Sequence, residues 1–408
     1  MANNNENKIL NVPHLRFPEF SGEWKIVKVS ELLEFYSTNS LSWEQLDYGN
    51  GIIKNLHYGL IHKGLPTMVD ISSDLLPYIK SESMPKSYTL FLNGDVAFAD
   101  ASEDTNDVAK AVEIVNCDEQ QIVSGLHTIH GRDKSDLTVI GYKGYAFASD
   151  SFHKQIRRIA QGTKVFSINV RNFDEVRVGI PSKDEQIKIA KLLRAIDLRI
   201  ATQNKIIEDL KKLKSAIIDK LFDNLEGERC TYRELFQIVN DRNKDFHFNK
   251  VIAASQEYGM VERDTLNLKV QFDESSINTY KIIRTGDYVV HLRSFQGGFA
   301  FSELDGICSP AYIILRPNTR ILSYGFLRYY FVSQPFINSL RLVTYGIRDG
   351  RSINVEEWMD MPISIPDKSI QDQILKTIQS IDNKLLNERH YLNSLLNERQ
   401  FFLGNMFI

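Results

Sequence analysis

Apolar positions between Ile180 and Phe222 recur every three to four residues, and no Gly or Pro interrupts them after Pro181. That spacing predicts one helix of about 40 residues, roughly 60 Å long at 1.5 Å per residue. Pro181 disfavours helix just before it. Ser182-Lys183-Asp184-Glu185 fits a capping box, in which the Ser182 hydroxyl and the Glu185 carboxylate each meet an orphan backbone N–H. The pattern occurs twice. Shifted by 185 positions, Ile365–Phe407 falls on Ile180–Phe222 without a gap, and upstream Ser352-Ile353-Asn354 falls on Ser167-Ile168-Asn169. The second copy keeps a cap residue, Asp367, but has Ile370 where the glutamate stands.

Within each copy the apolar period is a heptad. Ile189, Ile196, Leu210 and Ile217 occupy one core position, and Leu193, Ile200, Ile207 and Leu221 the other. The matching residues are Ile374, Ile381, Leu395 and Phe402, then Ile378, Leu385, Leu392 and Met406. Two layers break both seams: Gln203 with Glu388, and Lys214 with Arg399. Such a seam asks for a partner helix, and the two copies supply one another. A parallel pair would set Lys214 beside Arg399; an antiparallel pair avoids that clash. The expected interface is Leu193, Ile196, Ile200, Ile207 and Leu210 against Ile378, Ile381, Leu385, Leu392 and Leu395.

The segments between the helices read as two related globular parts. Val29–Tyr36 predicts a short helix or turn. Tyr88–Phe98 predicts a strand broken by Asn93-Gly94-Asp95, and Ala111–Val115 and Ile122–Ile129 predict further strands. Ser149–Ile159 predicts a capped helix. In the second part Tyr258-Gly259 echoes Tyr58-Gly59, and Gly286-Asp287 echoes Gly94-Asp95. Ile313–Arg316 reads as a strand, and Tyr324–Leu340 as a helix interrupted by Pro335. The expected fold is α+β: two α/β domains, 1–179 and 223–364, joined by two long helices, 180–222 and 365–408. The helices form an antiparallel coiled coil within a pseudo-two-fold internal repeat.

Composition changes this picture little. The 408 residues carry a formal net charge of −3, so nucleic-acid binding cannot be argued from net charge. Cys117, Cys230 and Cys308 show no paired spacing, so neither a disulfide framework nor a zinc site is expected. The N-terminus has no signal-like pattern and no apolar run reaches membrane-spanning length, so a soluble cytoplasmic protein with no membrane partner is expected.

The motifs supply no catalytic constellation. Neither a phosphate loop nor a dinucleotide-binding turn occurs, and there is no Asn/Asp-Pro-Pro-aromatic tetrapeptide. Glu23-Trp24-Lys25 has a nuclease-like spacing without a preceding Pro-Asp, and His127-x-x-His130 has a ligand-like spacing without a third ligand. His153 and His291 show no partner. Residue types suited to DNA are better represented. Arg293 and Gln296 are guanine- and adenine-reading types beside Gly297-Gly298, and Arg348 and Arg351 offer forked donors on a tight loop. Ser102, His127, Arg132, Arg157 and Lys164 are the counterparts in the first part. Each alone reads as solvated surface; placement at equivalent points of two repeats favours a DNA-contacting set.

The layout resembles the DNA-specificity subunit of type I restriction–modification enzymes over essentially the whole chain. The resemblance rests on Val12-Pro13-His14-Leu15-Arg16-Phe17-Pro18-Glu19-Phe20 with Trp24, and on Leu56-His57-Tyr58-Gly59. It rests equally on both Gly-Asp pairs, both Ser-Ile-Asn segments, and Ile-Pro followed by Gln186 and Ile196-Asp197. It implies two target-recognition domains, each reading half of a split sequence in double-stranded DNA, and paired helices that space them. It implies a subunit with no catalysis and no cofactor of its own. Two modification subunits would bind S-adenosylmethionine and methylate adenine; two restriction subunits would use ATP and Mg. A self-contained restriction enzyme and a coiled-coil scaffold that does not bind DNA are the rival readings.

Overall fold

A computed structural model describes residues 11–117, 119–223, 225–255, 258–266, 274–291, 298–345 and 352–408. The predicted helices are present as Lys183–Asp223 and Lys368–Asn405. No described helix is long and apolar enough to cross a membrane. The chain divides into two compact units. The first holds residues 1–204 and 390–408, the second 205–389, so each takes a portion of both long helices.

In the first unit, five strands lie in the order Leu33–Tyr36, Thr128–Asp133, Val96–Ala99, Ala111–Val115, Met68–Asp70, antiparallel except for the last pair. Its core joins Val96, Phe98, Tyr142, Tyr145 and Phe152 to Ile189 and Leu193 of the first long helix and Leu403, Met406 and Phe407 at the end of the second. In the second unit, four antiparallel strands repeat the order: Phe236–Val239, Ile313–Pro317, Tyr288–Val290, Phe299–Phe301. Here the core gathers Tyr232, Tyr288, Phe326 and Trp358 with Ile374 and Ile378 of the second long helix and Ile218 and Phe222 of the first. Strand Lys25–Lys28 pairs antiparallel with Arg177–Ile180, and Glu228–Thr231 pairs likewise with Pro362–Ile365. Each globular part is thereby closed at the residues that enter its long helix.

Within each unit the two helix portions run antiparallel. In the first, the Arg399 Nε donates to Asp197 Oδ1 at 2.6 Å, and Tyr145 Oη donates to Asp197 Oδ2 at 3.0 Å. In the second, Lys214 Nζ donates to Asp382 Oδ1 at 2.5 Å, and Tyr329 Oη donates to Asp382 Oδ2 at 3.0 Å. The cations that break the heptad seams are thus neutralised by the aspartates of the two Ile-Asp steps. Of the expected seam residues, Leu193, Ile196, Ile207, Ile378, Leu385 and Leu395 are buried; Ile200, Leu210, Ile381 and Leu392 are half-buried. Near the ends Ile218 and Leu403 are buried, while Ile217 and Phe402, assigned there by the heptad, are half-buried.

The glutamine of each signature is a fully buried clamp. Gln186 Oε1 accepts from Val139 N at 2.9 Å while its Nε2 donates to the carbonyls of Leu137 and Pro181, both at 3.0 Å. Gln371 Oε1 accepts from Ser323 N at 2.8 Å while its Nε2 donates to Ile321 and Pro366 at 2.8 and 2.9 Å. Each fastens the first turn of a long helix to a loop of its unit.

Several expectations need correction. Ser182 Oγ does accept from Glu185 N at 3.3 Å, but the Glu185 carboxylate does not return to the cap. It is 1% exposed and receives Arg16 Nε and Nη2, each at 2.7 Å. Leu15 N meanwhile donates to Asn405 O at 2.9 Å. The N-terminal segment is therefore pinned to the start of one long helix and the end of the other. The second unit has no such preceding segment, because its first strand, Glu228–Thr231, follows the first long helix almost directly. Ile370 at the equivalent place has no arginine to bind. Ile122–Ile129 is two strands, Gln121–Ser124 and Thr128–Asp133, separated by a turn at 125–127. Val29–Tyr36 is one helical turn followed by a strand, and Pro335 opens a second helix, Gln334–Ser339, rather than kinking one. The Tyr-Gly echo is not structural: Tyr58 starts a helix capped by His57, whereas Gly259 starts a strand with φ of +72°.

Gln371→Ala leaves Ser323 N–H and two carbonyls without their partner in a buried place. The second unit should lose about 3 kcal/mol or more, because three groups are orphaned and each costs about 1–3 kcal/mol when buried. Hydrogen exchange should accelerate first at the Ser323 amide.

Candidate nucleic-acid interface

Each Gly-Asp step builds a polar hub rather than a free surface loop. Gly94 has φ of +85°, and behind it Asp95 N donates to Leu92 O while Asp95 Oδ2 accepts from Leu92 N at 2.8 Å. Arg132 Nε and Nη2 grip the same carboxylate at 2.9 and 2.7 Å, and His130 Nε2 lies 2.8 Å from it. In the second unit Gly286 has φ of +94°, Asp287 Oδ2 accepts from Arg284 N, and Arg316 Nε and Nη2 reach Asp287 at 3.0 Å each. Both aspartates are buried. Burial alone would raise the Asp95 carboxyl, but the hydrogen bonds from His130 and Arg132 outweigh it and hold the group below the usual carboxylate range.

Arg132, placed among the DNA-contacting candidates by sequence, is therefore a structural cation. Its guanidinium also donates to Leu90 O at 2.9 Å and stacks over Tyr36. His127 and His130, whose ligand-like spacing lacked a third ligand, are separated: His130 is buried on Asp95, while His127 is exposed and pairs with Asp100. Glu23 accepts from Asn11 and Trp24 is buried, so Glu23-Trp24-Lys25 is part of the N-terminal anchor. Among the described residues no group of three or more His, Cys, Asp or Glu is placed to hold a metal ion. Burial pushes the His153 imidazole down to about 4, which keeps it neutral against Phe152. His291 stacks on Tyr312.

Four of the first unit's candidates gather about one segment, residues 100–107. His127 Nδ1 lies 3.1 Å from Asp100 Oδ1. Ser102 lies on a short strand paired with Phe166–Ser167, two residues beyond the exposed Lys164. Arg157 Nη1 donates to Asn106 Oδ1 at 3.3 Å. Beside them is a ring cluster that sequence reading missed. Tyr58 lies against His57, His62 and His127 at 4.8, 5.8 and 5.1 Å, Trp43 lies against His57 at 4.3 Å, and Lys63 Nζ sits 5.3 Å from the Trp43 ring. Trp43, Lys63 and His127 are exposed. These residues come from three separate segments; Leu56-His57-Tyr58-Gly59 carried a signal as part of a family signature and His127 as a candidate, whereas nothing marked Trp43, His62 or Lys63. Arg293, Gln296, Arg348 and Arg351 lie outside the described residues.

Residues 21–212 match the type I restriction modification DNA specificity domain. That segment carries the domain. The specificity subunit of the type I restriction enzyme MjaVIII from Methanocaldococcus jannaschii is 25% identical over 255 residues, 55% of this chain. The match spans 59% of that relative's length. Among solved structures, the S subunit of a type I restriction–modification system from M. genitalium superposes with a TM-score of 0.50 at 14% identity, covering 97% of this chain and 99% of that one. A chain solved in work on complex assembly and conformational transition of the type I R-M system gives 0.57 at 15% identity, covering 93% and 96%. The fold, with its long helices and repeated globular parts, is that of type I specificity subunits. The specificity domain covers the first unit, and the paired Gly-Asp hubs extend the same construction into the second.

The hub reading is checked by Arg132→Met. At neutral pH it should cost about 3–5 kcal/mol, because Asp95 is left charged and buried with its guanidinium partner gone. Asp95 is depressed in the folded state, so this stability is present above the ordinary carboxylate value of about 3.9 and is lost as pH falls through the folded value. The Tm gap between variant and wild type should therefore close on acidification below about pH 4. A gap independent of pH would count against the hub.

Proposed function

We propose that this chain is the sequence-reading subunit of a type I restriction–modification enzyme. In this reading it has no catalytic activity and binds no cofactor. Each unit reads one half of a bipartite target in double-stranded DNA, and the paired long helices fix the spacing between the halves. Two modification subunits, carrying S-adenosylmethionine, and two restriction subunits, using ATP and Mg, perform the chemistry on it in the cytoplasm. The observation that carries the reading is the repetition of one scaffold under unlike surfaces. The glutamine clamps, the Asp–Arg hubs and the Asp–cation–Tyr contacts recur in both units with nearly the same distances. What the strands carry differs. The first unit adds a sheet of Gln121–Ser124, Ile53–Leu56, Tyr78–Ile79 and Leu46–Asp47, whereas the second has the pairs Ile252–Ser255 with Gly259–Glu262 and Lys281–Ile283 with Gly306–Cys308. One frame bearing two different surfaces suits two different half-sites.

The net charge of −3 fits a subunit that shares phosphate neutralisation with its partners. Alone, the chain should bind DNA weakly and with steep salt dependence; with a modification subunit from the same source it should bind much more tightly at matched salt. Equal affinity in the two states would contradict the reading. The spacing claim has its own test. Seven residues inserted into each long helix, after Asn204 and after Arg389, lengthen each by about 10 Å, or about three base pairs at 3.4 Å each. The unspecified spacer of the methylated motif should grow by that amount. A spacer that stays constant removes the helices from the measurement of distance.

A further inference from the structure

We infer that His127 is a base-reading residue of the first unit, its Nε2 accepting a hydrogen bond from the exocyclic amino group of adenine or cytosine in one half of the target. This rests on the DNA-reading function proposed above. Four observations lead to it. The first is a fixed tautomer. His127 Nδ1 lies 3.1 Å from Asp100 Oδ1, and a carboxylate only accepts, so the neutral ring carries its hydrogen on Nδ1 and presents Nε2 as an acceptor. The second is a fixed backbone. His127 has φ of +53°, uncommon outside glycine, and its carbonyl accepts from Asp100 N at 3.0 Å. Residue 127 is thus clamped to residue 100 through both main chain and side chain. Left-handed strain of this kind persists where surroundings over-determine the conformation, as they do at functional sites.

The third observation is exposure: half of the His127 side-chain surface remains open, unlike the buried His57 and His130. The fourth is the setting. The edge of Tyr58 braces one side of the imidazole at 5.1 Å and 73°. The helix bearing Tyr58 is itself tied down, because His62 Nε2 lies 2.9 Å from Ala101 O. Trp43 and Lys63 extend the same patch with an exposed aromatic face and a cation. Lys63 offers that patch a cation for the DNA backbone. In the major groove the donors on base edges are the N4 amino group of cytosine and the N6 amino group of adenine, so an acceptor held rigidly in this way distinguishes a base pair from its inversion.

With its hydrogen on Nε2 instead, the ring becomes a donor and suits the carbonyl that inversion of the base pair brings to the same place.

The test is methylome mapping in cells carrying the full chain with a type I modification subunit from the same source, as wild type, His127→Asn and Asp100→Asn. Asn tolerates the left-handed backbone at 127. In Asp100→Asn the amide can donate to Nδ1, which moves the ring hydrogen to Nε2. Both variants should keep a bipartite motif with one half intact, and lose discrimination about tenfold at one or two adjacent base pairs of the other half. A wild-type motif preserved by both variants overturns this inference alone. A wild type without a bipartite motif overturns the proposed function and this inference with it. Should one variant fail to assemble, the other decides.

Discussion

The contact on which the rest depends is a carboxylate and a cation facing each other across the long helices inside each unit. Asp197 with Arg399, and Asp382 with Lys214, place unlike charges in the seam layer that a heptad reserves for apolar side chains. A half-buried ion pair adds little net stability, because desolvation offsets most of its attraction. Its value lies in register. A helix slipped along its partner would leave both charges facing apolar neighbours, whereas leucine against isoleucine tolerates slippage. Tyr145 and Tyr329 then bind the same aspartates from the globular parts, so helix register and domain position are set by one group.

With that register fixed, each core is assembled from the start of one long helix and the end of the other. Leu193 meets the cluster that holds Leu403 and Phe407; Ile378 meets the cluster that holds Ile218 and Phe222. Neither globular part can complete its interior from its own segment of sequence. Gln186 and Gln371 repeat the logic in polar form, binding a loop of the unit and the carbonyl before the helix with one amide. Folding of the recognition surfaces is therefore coupled to pairing of the helices.

The long helices, their seams and the internal repeat were legible because each rests on many residues at a fixed period. Single-residue roles were not. Glu185 fits a capping box by spacing, yet Arg16, distant in sequence, has a stronger claim on its carboxylate than a backbone N–H does. Arg132 reads as a surface cation because nothing local to it is acidic except Asp133; its partner Asp95 arrives through strand pairing. The ring cluster around Tyr58 escaped for the same reason: Trp43, His62 and His127 share no sequence period, and only the fold brings them together. His127 was picked out by composition, but its constraint comes from the main chain of Asp100.

Charge counting in the sequence was uninformative for a related reason. Arg16, Arg132, Lys143, Lys214, Arg316 and Arg399 are all committed to internal carboxylates, so they contribute little to a field that attracts phosphate. Their aspartate and glutamate partners are equally withdrawn from repelling it. Pairs of this kind cancel inside the scaffold, so a net charge of −3 carries no information about the binding face. A surface built on such a scaffold must discriminate through a few rigidly held groups, with phosphate attraction supplied elsewhere. This is the division of labour that a reader subunit working beside separate catalytic subunits would have.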